Sequence, residues 1–322
     1  MSGARATTVD ETVAVRGVAV DGAAHGGWLP DADERVDRLE SPVASLLEAD
    51  LSTLSAVDRI TVVPDAHYPF HPSSGVVTDP AVVAAIVGVL ERRTDADLAV
   101  AGLSDEVIGF DRTAAHLGYT SLLERVDAAL VDLADDSRTD RLLEMEDRTA
   151  TVSIPDGLAT GATIVVPSLR PTEQGPIAGG MRTLARFATG AADPDRAALG
   201  ATRAVDPALC MLDATIAYAG TSAATDALFA GPTAAVDALG SSLLERSFAA
   251  DGALSQAFDE RASISVDSVG AKELDLETIR DRLNGGELPP RESTHPAVTT
   301  AYRLYAAVAG DAVPPQLEGE PR

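Results

Sequence analysis

The chain has 322 residues, of which 45% are hydrophobic and 23% charged, enough apolar material for one large domain or two small ones. Fifty acidic against 25 basic residues give a formal charge of -25, which argues against nucleic acid as a partner, because affinity for a phosphate backbone comes from clustered Lys and Arg displacing counterions. The lone cysteine, Cys210, supplies neither an internal disulfide nor the ligands of an iron–sulfur cluster.

Short β-branched runs alternate with longer helical stretches along the chain. Residues 12–19 and 59–63 read as strands, the second ended by Pro64. Between them, residues 42–57 read as a helix with Ser41 as its cap and Pro42 at its first position. Residues 80–93 carry apolar residues at helical spacing, with Thr78 or Asp79 as cap. A strand at 97–102 follows, then a helix pair over 109–126 broken at Gly118, then strands at 128–133, 149–155 and 162–167. Helix resumes over 177–188. The second half predicts a strand at 207–213 ending on Asp213, a helix at 233–246 opened by Gly231 and Pro232, a strand at 262–269, and helices at 274–283 and 297–309. The Ala- and Thr-rich stretches 188–204 and 219–227 read as a surface loop or a subdomain seam.

This alternation predicts an α/β fold, a mostly parallel, Rossmann-like sheet with helices on both faces. The expected organisation is an N-terminal strand and helix over 1–57 packed on a core domain over 58–248. A C-terminal strand and helices over 249–312 complete the unit, and a loose tail covers 313–322.

Every basic residue except Lys272 is an arginine. A charge of this size repels itself and weakens a compact state in dilute buffer. At about 1 M salt the Debye length falls to roughly 3 Å and the repulsion nearly vanishes, so the expected setting is a salt-filled cytoplasm. The start MSGARATTVDETV lacks the apolar centre of a signal peptide. No apolar run reaches the roughly 18 residues of a spanning helix, so no membrane association is expected.

Four segments in order, 62–90, 98–133, 152–190 and 212–245, resemble the family known as domain of unknown function 362, over roughly 58–248. Where that family typically has Lys-Pro-Asn after a strand, this chain has Val63, Pro64 and Asp65; its Thr-Asp-Pro stands as Thr78, Asp79 and Pro80. Its Pro-Lys-Leu-Lys-Thr-His is Pro167, Ser168, Leu169, Arg170, Pro171 and Thr172, and its later Gly-x-Leu-Lys-Asn survives as Gly180, Met181, Arg182 and Thr183. A last motif remains as Asp213 and as Gly231, Pro232, Thr233, Ala235, Val236 and Asp237. Salt adaptation accounts for arginine at 170 and 182 but not for Val63, Ser168 or the missing histidine near Thr172. The resemblance implies a divergent, halophilic member without the iron–sulfur module that many relatives carry or work beside.

The candidate sites follow from these positions. Between 167 and 190 three arginines (Arg170, Arg182, Arg186) face a single acid, Glu173, a local excess of positive charge in a very acidic chain. With Gly175, Gly179 and Gly180 ahead of a helix, the segment reads as an anion site for phosphate or carboxylate. Ser168, Arg170, Gly179, Gly180, Arg182, Thr78 and Asp79 are its expected contacts. Asp65 and Asp213 are the candidate catalytic carboxylates, with Asp79 and Asp237 in the same acidic set. His67 and His71 are a candidate divalent-metal pair, although Pro69 and Pro72 exclude a regular helix between them. The expected function is binding of a small anionic ligand, with a metal-assisted enzyme as one form of it. The alternatives are a non-catalytic paralogue serving as a binding or assembly partner, of another protein or of a second copy, and a redox partner of an iron–sulfur protein.

Overall fold

A computed structural model describes residues 12–21, 32–67, 72–104, 109–145, 148–191, 193–249, 251–258 and 262–283. The helix expected at 297–309 and the tail at 313–322 lie outside them. In chain order the elements are β1 (Thr12–Ala19), α1 (Ala32–Leu47), α2 (Leu51–Leu54), β2 (Arg59–Pro64), α3 (Pro80–Arg93), β3 (Asp97–Gly102), α4 (Phe110–Leu117), α5 (Tyr119–Leu123) and β4 (Ala128–Asp132). They continue with β5 (Arg138–Met145), β6 (Arg148–Pro155), α6 (Asp156–Ala159), β7 (Ala162–Val166), α7 (Gly179–Ala185), α8 (Pro194–Val205) and β8 (Leu209–Tyr218). The last are β9 (Ser222–Gly231), α9 (Thr233–Leu243), α10 (Gly252–Ala257), β10 (Ser263–Ser268) and α11 (Leu276–Leu283).

Eight strands form one sheet in the order β10-β1-β9-β8-β7-β2-β3-β4, and β5 and β6 form a separate antiparallel hairpin. From β8 to β4 every neighbouring pair is parallel, as are β1 and β10; only β9 runs against its neighbours β8 and β1. The chain therefore has the mostly parallel α/β architecture that its alternating pattern implied. β2 and β7 sit at the centre, covered on both faces: Ile60–Pro64 and all of Ala162–Val166 are buried, with Thr61 and Thr163 the polar side chains among them.

Alternation along each strand sends side chains to opposite cores. Ile164, Val166, Met211 and Leu228 join the core under α1, α3, α4 and α5. Val165, Cys210, Leu212 and Phe229 join the core under α7 to α11. α3 packs against both α1 and α5 and is buried from Pro80 to Leu90. Its start has the expected chemistry: Asp79 Oδ1 accepts from Ala81 N at 2.9 Å, and proline occupies the first position.

Several boundaries differ from expectation. The first long helix begins at Ala32, so Pro42 is internal to it. Leu39, Val43, Leu46 and Leu47 are all buried, and that docking outweighs the roughly 3 kcal/mol local penalty of an internal proline. β8 does not end on Asp213; it continues to Tyr218 because β9 pairs with it, with a register shift between Ala214 and Ile216. The 219–227 stretch is thus largely strand rather than loop. The 188–204 stretch contains most of α8, capped by Asp193, whose side chain accepts from Arg196 N. β5 has no counterpart in the sequence reading: its exposed, charged residues, with Leu142 74% exposed, lack the apolar signal of a core strand.

Candidate functional site

The carboxyl ends of β2 and β7 meet the middle of β8 at a buried ionic corner. Asp65 follows β2 directly, and its backbone is fixed by Thr78: Asp65 N donates to Thr78 Oγ1 (2.9 Å), Thr78 N donates to Asp65 O (2.9 Å), and Thr78 Oγ1 donates to Val166 O (2.5 Å). The loop between residues 65 and 78 is thereby closed at its base. The Asp65 carboxylate, 1% exposed, faces two different partners. Oδ1 lies 2.5 Å from His67 Nδ1, and Oδ2 accepts from Arg170 Nη2 (2.8 Å) and Nε (3.2 Å). Ser168 Oγ stands 3.3 Å from the same Oδ2 and 3.1 Å from the Val76 carbonyl.

Burial opposes ionisation of Asp65, but the Arg170 guanidinium and the His67 pair override it and hold this carboxyl well below the usual carboxylate range. His67 moves the other way from its partner's pull. Burial, with help from Arg170 and Arg186, lowers its pKa despite the adjacent carboxylate, so the ring is neutral near pH 7. A neutral ring carrying its hydrogen on Nδ1, 2.5 Å from Asp65 Oδ1, has its lone pair on Nε2.

Asp213 and Asp79 adjoin this corner. Asp213 Oδ1 accepts from Thr215 N (3.0 Å) and Thr215 Oγ1 (2.7 Å), and Oδ2 accepts from Asp79 N (2.8 Å). Asp79 Oδ2 pairs with Arg35, a buried arginine on α1. Burial lowers the Arg35 pKa and Asp213 opposes that shift. Tyr119 Oη donates to Thr78 O at 3.2 Å; burial, Asp213 and Asp65 together push its hydroxyl pKa well up. Asp65, His67, Thr78, Asp79, Ser168, Arg170 and Asp213, seven of the residues singled out in the sequence, therefore share one neighbourhood.

Gly179, Gly180 and Arg182 do not join it. Gly180 N (2.7 Å) and Met181 N (3.0 Å) donate to the two oxygens of Asp237, which reaches them from α9. These donors are occupied by the chain's own carboxylate instead of facing an anion. Arg182 Nη2 pairs with Asp195 (2.7 Å) and Asp251 (2.9 Å). The glycines are required by close approach: a Cβ on Gly179 (φ +52) would stand 2.5 Å from the Asp237 carboxylate, and one on Gly180 would stand 2.9 Å from Cys210 Sγ. Asp237 thus belongs to a second cluster, apart from Asp65 and Asp213. Burial raises its pKa to about 7 against the pull of the two N–H groups. Cys210 is buried, and burial with the Asp237 charge pushes its thiol well up.

His71 lies outside the described residues. Among those described, no group of three or more His, Cys, Asp or Glu side chains is placed to hold a metal ion, and no helix is long and apolar enough to cross a membrane. A cleft of about 510 Å³ lies at the opposite, amino-terminal ends of β2, β3 and β4. It is lined by Glu91, Asp95, Asp97 and Asp127 against Arg59, which disfavours anions.

Arg35 and Tyr119 were missed in the sequence. Arg35 had a usable signal: with Leu39 and Val43 it repeats every four residues, a charged side chain on the apolar face of α1. Tyr119 had none, since its partner is a backbone carbonyl 41 positions away.

A family model described as Domain of unknown function (DUF362) matches residues 60–238, more than half of the chain. No curated protein matches. Among solved structures, the lactate racemase apoprotein from Thermoanaerobacterium thermosaccharolyticum is similar at 12% identity and TM-score 0.42, covering 73% of this chain and 57% of that one. A protein from Thermotoga maritima is similar at 10% identity and TM-score 0.37, covering 55% of this chain and 50% of that one. The chain spans about half the length of each of these structures.

Proposed function

The chain belongs to the DUF362 family, and on that premise we propose that the corner formed by Asp65, His67, Ser168 and Arg170 binds a small anionic ligand, a phosphate or a carboxylate, with His67 exchanging a proton with it. The observation that carries this reading is the Asp65–His67 pair at 2.5 Å with Arg170 on the other carboxylate oxygen. A carboxylate that fixes the tautomer of a neutral imidazole makes Nε2 a base near neutral pH. The guanidinium beside it supplies the charge an anion needs, and the side chains of His67 and Arg170 keep 17% and 16% of their surface exposed. The place also suits a ligand, since open parallel sheets bind theirs beyond the carboxyl ends of their strands.

The test is calorimetric titration of the full chain with inorganic phosphate and with small mono- and dicarboxylates in 2–3 M KCl. Saturable binding that weakens at least tenfold in Arg170→Met, and whose pH dependence disappears in His67→Gln, supports the reading. Binding indifferent to both substitutions contradicts it.

A second reading, a non-catalytic binding or assembly partner, is favoured by α7. Its Gly180 and Met181 N–H groups and the Arg182 guanidinium are taken up by internal carboxylates. Under that reading none of the anions binds. The proposed setting for either is a salt-filled cytoplasm: far-UV circular dichroism should lose structure below a few tenths molar KCl, and a sharp native spectrum in dilute buffer would contradict it.

A further inference from the structure

We propose that Asp237 is a proton-operated clamp that holds the first turn of α7 against α9 and loosens that contact when it ionises. Asp237 is 2% exposed, and both of its oxygens are spanned by the N–H groups of Gly180 and Met181. The charged and titratable groups around it come from α7, α8, α10 and β8. α7 supplies Arg182, Asp251 stands at the start of α10, and β8 supplies Cys210. α8 contributes Asp195, which shares Arg182 with Asp251. One arginine therefore serves three carboxylates, and its ion pairs go to the other two. Among the described residues no cation pairs with Asp237 itself.

This arrangement makes the ionised form costly while the contact is closed and cheap once water reaches it. In the closed state burial holds the carboxyl pKa at about 7; in an opened state it returns to about 3.9. Opening is then hardest below the lower value, becomes steadily easier as pH rises between the two, and levels off above about 7. The clamp matters because α7 anchors one end of the segment that carries Ser168 and Arg170, and Arg186 follows its last turn. Ala178 N, at the base of α7, donates to Arg170 O at 2.9 Å.

The thiol of Cys210 reports the opening, since it is fully buried and packs under Gly180, and the chain has no other cysteine. Alkylation by iodoacetamide should be followed in 2–3 M KCl for the native chain and for Asp237→Asn, which keeps the shape and cannot ionise. Taking the ratio of the two rates at each pH cancels the chemistry of the thiol. The expected ratio rises by about tenfold or more between pH 5 and 7 and is flat above; a ratio constant from pH 5 to 8 overturns the proposal. Should Asp237→Asn fail to fold, infrared spectroscopy of the native chain decides. A buried carboxylic-acid C=O band lost with a midpoint near 7 supports the clamp, and absence of any such band at pH 5.5 overturns it. No ligand enters either experiment, so the clamp and the anion site stand or fall separately.

Discussion

The corner at Asp65 and the clamp at Asp237 are built from the same materials, buried aspartates, arginines and backbone N–H groups, yet their charges are balanced differently. At the corner, Asp65, Asp79 and Asp213 are set against Arg170 and Arg35, with Arg186 adding its field. At the clamp, Arg182 is divided between Asp195 and Asp251 while Asp237 relies on N–H donors. The result is opposite ionisation: the carboxyl of Asp65 is held below the usual range and that of Asp237 is raised to about 7. At Asp65 the cation keeps the buried acid ionised, whereas at Asp237 the two backbone donors do not offset desolvation.

The largest expected effect is at the corner. Arg35→Met strips the buried cation from Asp79 and should cost about 3–5 kcal/mol in urea unfolding at 2–3 M KCl. Arg182→Met should cost about 3 kcal/mol, less than the corner substitution because Asp195 keeps 35% of its side-chain surface in solvent. An Arg182 effect equal to or larger than that of Arg35 would break the contrast between the two regions. Gly179→Ala combines a left-handed backbone with a Cβ against the Asp237 carboxylate, for a loss of about 1–2 kcal/mol.

The pH dependence separates the regions by sign, at on the order of 1 kcal/mol per pH unit. Asp65 has a depressed folded pKa. Its contribution is full above the unfolded value of about 3.9 and is lost on acidification, so the stability of the native chain relative to Asp65→Asn falls below pH 4. Asp237 has a raised one. Its contribution is full below about pH 3.9 and is lost as pH rises to about 7, so stability relative to Asp237→Asn falls across that window and is level above it. Urea unfolding at half-unit intervals reads both. Parallel slopes for the two variants would remove the distinction.

Much of the corner was legible because its parts are local. Pro64 and Asp65 follow an apolar strand, Asp79 and Pro80 open a helix, and Ser168 and Arg170 follow another apolar strand. Parallel strands in one sheet then bring such ends together without further information. The clamp was misread because the acceptor for Gly180 comes from 57 positions downstream. A Gly-Gly helix start looks the same whether an external anion or an internal carboxylate will meet it. Asp213 adjoins Asp79 in mid-strand and not at the strand end its sequence suggests, since nothing local to 207–218 announces the β9 hairpin that prolongs β8. Arg35 was passed over because the helix was begun at Pro42, which left its apolar-face position out of view.

Chemistry at the corner depends most on the ionised Asp65 carboxylate holding a neutral His67 beside Arg170. Imidazole 15N shifts of the full chain in 2–3 M KCl, with His67 assigned through His67→Gln, measure this directly. The expected spectrum at pH 7 is a neutral ring protonated at Nδ1, whose Nε2 signal moves on addition of phosphate and fails to move in Arg170→Met. An imidazolium at pH 7, or a ring protonated at Nε2, would contradict it.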